Sequence, residues 1–232
     1  MFKAKILTIF PEIFPGFLGT SLTGRALKEN KWELETINIR DYAFDKHGSV
    51  DDTPCGGGAG MIMRPDVLGN AIEHNYTQGK IIYMSPNGRP LTQQKVREVS
   101  KEDNITIICG RFEGIDERVL HKWSIQEISV GDFVLSGGEP ALLTMLDATV
   151  RLIDGVLGNA ESIQDESFSN NLLEYPQYTK PQNWENRLVP DVLISGHHGN
   201  IRKWRQEQSE LLTKTRRPDL YEKYLAQTKK GS

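Results

Sequence analysis

Short apolar runs alternate with stretches of helical period through the first two thirds of the chain. Residues 6–10 read as a buried strand ended by Pro11, and residues 21–30 as a helix. Trp32, Leu34, Thr36, Ile37 and Ile39 alternate loosely enough for a second strand. Residues 45–60 show no period and hold Pro54 and a run of glycines, which predicts a long loop of the kind compact domains keep for function. A helix over 65–75, a strand over 80–85 and a turn over 86–90 follow. Thr92 is suited to cap a helix running to Lys101. Residues 104–109 form a continuous apolar strand that ends in Gly110-Arg111-Phe112-Glu113-Gly114, and 116–122 a short helix.

The stretch 127–140 organises the rest. It opens as a β-type run, breaks at Gly131-Asp132, resumes at Phe133-Val134-Leu135 and bends at Ser136-Gly137-Gly138. A helix then starts at Glu139-Pro140, where a missing N–H costs nothing. Ala141, Leu142, Met145, Leu146, Val150 and Ile153 continue it at helical spacing. Strands alternating with helices predict an α/β fold with a parallel sheet, and such sheets bind ligands outside the carboxyl ends of their strands. Three successive strands end here in ligand-friendly loops, 85–89, 110–114 and 131–138. Glycines there bare main-chain N–H and C=O groups, which suits a flat, polar, charged small ligand.

Residues 159–186 are acidic, polar and rich in Asn, Ser and Gln, as an interdomain linker is. Beyond them an apolar run at 189–194 precedes a helix from about residue 200 that carries Arg202, Lys203 and Arg205 beside Trp204. Lys214, Arg216 and Arg217 form a second basic cluster before a final helix. The division expected is therefore 1–158, 159–186 and 187–232.

Charge sharpens that division. The net charge is −3, yet residues 187–232 hold 10 Lys and Arg against 5 Asp and Glu, a net of +5. The remainder holds 18 against 26, a net of −8. A basic tail on an acidic body points to phosphates on the tail alone, although a solvated helical face would look the same. Hydrophobic content of 38% and no apolar run near the ~20 residues of a membrane span describe a globular, most simply cytosolic protein. Cys55 and Cys109 stand far apart and in no metal or disulfide pattern.

Several motifs fail on inspection. Residues 19–26 have phosphate-loop glycines without the Lys and Ser or Thr that hold nucleotide and magnesium. Residues 56–60 do not match a dinucleotide fingerprint, and His197-His198 has no nearby third metal ligand, so no metal is expected. What remains is a set of charged residues beside the glycine loops: Arg111, Glu113, Asp116, Glu117, Arg118, Asp132 and, further along, Arg151. Taken singly, each could be an ordinary salt-bridged surface residue.

At this point the chain resembles the bacterial tRNA (guanine-N1)-methyltransferases of the SPOUT superfamily. The matching blocks include Ile9-Phe10-Pro11-Glu12, Tyr83-Met84-Ser85-Pro86-Asn87-Gly88-Arg89, Cys109 through Arg118, Val130 through Glu139, Glu174-Tyr175-Pro176-Gln177-Tyr178-Thr179-Lys180-Pro181 and Ile201-Arg202-Lys203-Trp204-Arg205. The resemblance spans the chain and implies a deep trefoil knot in the sheet domain, against the general rarity of knots. It further implies a small helical C-terminal domain, an obligate homodimer with an active site shared between subunits, tRNA as partner and S-adenosylmethionine as methyl donor. Carried over by position, the donor lies against Tyr83, Met84, Ser85, Pro86, Gly110, Glu113, Val130, Gly131, Asp132, Phe133, Val134 and Leu135, with Gly137 and Gly138 closing the cleft. Arg151 matches the family's cation. The family's base is an aspartate directly before a Ser-Phe pair, and this chain departs there, with Glu166 before Ser167-Phe168 and Asp165 one position earlier. Glu166 is the expected base, with Asp165 its rival. Pro140 is a second departure, standing one residue earlier than the family's proline often does. Arg202, Lys203, Arg205, Arg216 and Arg217 are expected on tRNA phosphates, positioning rather than reading the RNA. Guanine selection is expected near Glu113 and residues 51–60. A knotted methyltransferase acting on ribosomal RNA or another tRNA position, or a non-catalytic RNA-binding module, are the rival readings.

Overall fold

Alternating strands and helices fill the first part of the computed structural model, which describes residues 1–157 and 166–229. In chain order they are β1 (Phe2–Thr8), α1 (Ser21–Lys28), β2 (Trp32–Asn38), β3 (Asp51–Asp52), β4 (Ile62–Met63) and α2 (Pro65–Asn75). There follow β5 (Lys80–Pro90), α3 (Gln93–Val99), β6 (Asn104–Cys109), α4 (Glu117–Lys122), β7 (Gln126–Ser129) and α5 (Glu139–Val150). Five strands pair in the order β2-β1-β6-β5-β7, and every pairing is parallel. β3 and β4 form a separate antiparallel pair.

Neighbouring residues along each strand face opposite layers, as the period of two requires. Ile6, Ile82, Ile107 and Cys109 enter a core with Leu142, Met145, Leu146 and Val150 of α5. Leu7, Ile81, Tyr83 and Ile108 enter another with Val67, Leu68, Ala71 and Ile72 of α2. A parallel sheet covered on both faces explains the near-continuous buried runs of the central strands β5 and β6, whereas the edge strand β2 alternates. The chain divides into two compact units, Met1–Gly158 and Asn159–Ser232.

The second unit contains the hairpin β8 (Asn183–Trp184) and β9 (Arg187–Leu188), then α6 (Asp191–Ile194), α7 (His198–Arg216) and α8 (Pro218–Thr228). The described residues of the segment 159–186 belong to this unit. There the Leu173 N–H donates to the buried Thr213 Oγ1 at 2.8 Å, and Leu172 is itself buried. His197 caps α7, its ring nitrogen accepting from the Asn200 N–H, which gives that histidine a structural task.

Three expectations need correction. Residues 86–90 are not a turn that ends a strand, because β5 runs on to Pro90. Met84 and Arg89 both register with Ile128 of β7, so the intervening residues bulge out and the ladder resumes. Gly88 permits this: a Cβ there would stand 2.4 Å from the Ile128 nitrogen. Residues 133–135 are not a resumed strand. Ser129 Oγ accepts from the Gly131 N–H and donates to the Gly131 carbonyl, ending β7, and Phe133 N–H turns back to that carbonyl at 3.0 Å. Finally, the first strand begins at Phe2 and closes at Thr8, before the segment expected to end it at Phe10.

Candidate active site

The bulged part of β5 and the second and third of the glycine-rich loops, those after β6 and β7, meet on adjacent strands and enclose a cavity of about 330 Å³, within the ~300–1,000 Å³ usual for small-molecule sites. Tyr83, Met84, Ser85 and Pro86 come from β5 itself, at and into its bulge, and Gly110 and Glu113 from the second loop. Val130, Gly131, Phe133, Val134, Leu135, Gly137 and Gly138 come from the third. Of the residues expected here Asp132 alone is off the wall, exposed at the tip of the turn that the Phe133-to-Gly131 hydrogen bond closes. Asn87, Arg111, Phe112, Gly114, Ile128, Ser129 and Ala141 also line the cavity and were not expected.

Main chain forms much of this wall because side chains have no room. A Cβ on Gly110 would stand 2.5 Å from the Tyr83 ring, and one on Gly138 would stand 3.0 Å from the Cys109 Cα. The Gly138 N–H donates to the Gly110 carbonyl at 3.0 Å, stitching the third loop to the second. Phe112 sits at φ 60, a left-handed conformation that costs a non-glycine residue energy and gathers at functional loops. Burial, with the Glu127 charge second, pushes the Tyr83 hydroxyl up to about 12. Burial likewise pushes the Cys109 thiol well up, reinforced by the Glu139 charge.

Behind the wall lies a buried polar cluster. Glu139, at the start of α5, is fully buried, and its Oε1 accepts from Thr8 Oγ1 at 2.8 Å. Its Oε2 lies 3.0 Å from Arg111 Nη2 as an ion pair. That contact is off the hydrogen-bond direction, so Oε2 and Arg111 Nε are both buried without a hydrogen bond among the described residues. Arg111 also donates to the Ser136 carbonyl at 3.1 Å and stacks 4.4 Å over the Phe10 ring. It therefore ties β1, the second loop and the third loop together. Periodicity pointed to neither residue; a carboxylate at a helix start ordinarily faces water.

Glu113 has a second contact beyond the cavity wall, and Arg151 and Asp116 lie off it. Arg151 caps the end of α5, half-buried, and does not line the cavity. Glu113 is exposed, its N–H donating to the Met61 carbonyl at 2.9 Å, and a Cβ on Gly60 would stand 2.4 Å from its Cγ. The second loop thus rests on the 56–60 segment, joining the two regions expected near guanine. Asp116 caps α4 and is held below the usual carboxylate range by the Arg118 guanidinium.

In the second unit, Glu166 accepts at its carbonyl from the Ser169 N–H and shares a polar cavity of about 280 Å³ with Arg202 and Arg205. Asp165 lies outside the described residues. Lys203 is exposed and 3.9 Å from Glu207, and Arg216 is exposed. Arg217 is engaged by Asp219 through two hydrogen bonds, of 2.8 and 2.7 Å, at the α7–α8 junction. Among the described residues no cluster of His, Cys, Asp and Glu could hold a metal, and no helix is long and apolar enough to cross a membrane.

Comparison with known proteins adds a separate finding. The family described as tRNA (Guanine-1)-methyltransferase TrmD matches residues 2–223. A tRNA (guanine-N(1)-)-methyltransferase of Ruegeria sp. (strain TM1040) is 57% identical over 234 residues, covering 99% of this chain and 96% of the relative. Proteins of the same name from Bartonella tribocorum and Mesorhizobium japonicum are 56% and 57% identical, covering 96% and 94% of this chain and 96% of each relative.

Proposed function

Because the chain belongs to the tRNA (guanine-1)-methyltransferase family, we propose that it methylates N1 of the guanosine just 3′ of the tRNA anticodon, in the cytoplasm, with S-adenosylmethionine as donor. The observation that carries the donor assignment is the cavity at the bulge of β5 and the ends of β6 and β7, whose lining includes Gly110, Gly114, Gly131, Gly137 and Gly138. Its fit rests on chemistry. Adenine and ribose are flat, polar groups that main-chain N–H and C=O can meet at hydrogen-bonding distance. Gly110, Gly131 and Gly137 let the Tyr83, Phe133 and Arg111 side chains pack directly on main chain, and Leu135, Phe133 and Tyr83 supply apolar faces. When bound, S-adenosylmethionine supplies an electrophilic methyl group on its sulfonium.

The protein's own residues do the rest. Guanine N1 carries a proton and is a poor nucleophile until that proton leaves. The Glu166 carboxylate accepts it, a role that typically contributes ~10²–10⁴-fold. Asp165 is the rival for that step. Negative charge then grows on guanine O6, and the fixed Arg151 guanidinium stabilises it. The Arg111–Glu139–Thr8 cluster holds the second and third loops in the geometry the donor needs.

The reading extends to assembly. Residues 1–158 form the donor-binding domain, threaded as a deep trefoil knot, and 187–232 form the basic tRNA-binding domain, joined by 159–186. Two copies make the working enzyme, one lending Glu166 to the donor cavity of the other. Phe133, Val134 and Leu135 favour this, being 55%, 86% and 40% exposed, an apolar strip that a second copy would cover. The test is methyl transfer to tRNA transcripts, with nucleoside analysis of the product. The proposal expects N1-methylguanosine from transcripts with guanosine 3′ of the anticodon and none when it is replaced. Equal methylation of both, or of ribosomal RNA fragments alone, would favour a different knotted methyltransferase. No transfer at all would favour a binding module.

A further inference from the structure

A second pair of cavities lies within the second unit, and the two share one wall. The polar cavity that holds Glu166, Arg202 and Arg205 borders another of about 380 Å³ lined by Tyr178, Val189, Leu193 and Ile194. Tyr175 and Arg205 line both. They form the partition, with the Arg205 guanidinium 4.8 Å over the Tyr175 ring. Arg205 Nε is buried and meets no hydrogen-bond acceptor among the described residues. Tyr178 is 48% exposed and leans on Trp204, the ring centroids 6.2 Å apart.

A cavity lined by two arginines and one carboxylate, Glu166, beside an aromatic one, each of nucleotide scale, has a defined complement. A buried guanidinium N–H without an acceptor leaves a donor unsatisfied, and a phosphate oxygen satisfies it with a charge-assisted bond. Arginine planes and tyrosine faces are the platforms on which unstacked RNA bases settle, and loops rather than duplexes present such bases. The basic balance of residues 187–232 favours a polyanion over an apolar peptide or a second copy of the chain.

We propose that this double cavity is a nucleotide subsite. It takes one unpaired nucleotide of the RNA substrate, with the base against Tyr178 in the aromatic cavity and the phosphate on Arg205 and Arg202. This rests on the reading of the chain as a tRNA enzyme and sharpens it. Arg205 and Arg202 become ligands of one specific phosphate, whereas Lys203, Arg216 and the Asp219-bound Arg217 stand outside the subsite.

The test uses the full-length protein and a short anticodon stem-loop RNA, with dissociation constants measured across a salt series. Tyr178→Ala weakens binding about tenfold at every salt concentration. Arg205→Ala weakens it and lowers the log–log salt slope by about one. Arg205→Lys restores the slope but not the affinity, because an ammonium lacks the fork and the stacking plane. A blunt RNA duplex, which offers no unpaired base, is bound equally by the parent and Tyr178→Ala.

If the variants, folded by circular dichroism, bind the stem-loop like the parent, the subsite is wrong. It is equally wrong if Tyr178→Ala loses duplex and loop binding alike, or changes subunit assembly instead of RNA affinity. If the parent methylates no RNA while these binding effects hold, the catalytic reading fails and the subsite stands.

Discussion

The two units place their charged side chains in opposite ways. In the first, glycine main chain forms part of the candidate donor cavity's wall, and the Arg111–Glu139 ion pair reaches from that wall to a fully buried carboxylate. In the second, charged side chains stand at the surface, and several are engaged by local partners, as Arg217 is by Asp219 and Lys203 by Glu207. A wall of backbone cannot change rotamer, so it is preorganised for one small molecule. A field of long side chains tolerates many RNA conformations and gives way to salt. On the proposed function, rigidity goes where methyl-transfer geometry is set and adaptability where a large polyanion docks.

The contrast predicts unequal costs of mutation. Glu166→Gln, the one change in the second unit aimed at chemistry, lowers single-turnover methyl transfer by ~10²–10⁴-fold and leaves donor affinity intact. Asp165→Asn costs far less, and the reverse ranking would move the base to Asp165. Glu139→Ala leaves Arg111 partly buried without its counter-charge and destabilises the fold by about 3–5 kcal/mol in urea unfolding. Gly110→Ala drives a methyl group into the Tyr83 ring and weakens S-adenosylmethionine binding, by calorimetry, at least ~10-fold while tRNA affinity holds.

Smaller effects complete the series. Tyr83 ionises in the folded protein near 12, against ~10 in an unfolded chain. Its contribution to stability is complete below pH ~10 and is lost as pH rises from there toward about 12. Tyr83→Phe flattens that alkaline loss in thermal melts. Arg217→Ala, which breaks a half-exposed pair at a helix junction, costs no more than ~1 kcal/mol. A large loss there would erase the distinction between the units.

Local pattern made much of the scaffold legible. The helix at 65–75 and the strand at 104–109 were read with the ends they have, because Pro65 opens the one and Gly110 closes the other. Thr92 caps α3 as its position suggested, its Oγ1 accepting from the Lys95 N–H at 3.2 Å. The loops after β6 and β7 were legible as glycine-rich strand ends. What stayed hidden depends on partners distant in sequence. β5 resumes beyond Pro86 because β7 offers its ladder again at Ile128, which no feature of residues 86–90 announces. Glu139 is buried because Thr8, 131 residues away, and Arg111 meet it. Asp132 looked like a wall residue beside Gly131, but the tight turn there leaves it at the tip, in solvent.

The most direct measurement is a crystal structure of the protein with S-adenosylmethionine. The account predicts the donor in the first-unit cavity, its adenine and ribose hydrogen-bonded to main chain between Gly110 and Leu135 and its sulfonium beside the start of α5. A donor bound outside that cavity, or held there chiefly by charged side chains, would contradict it.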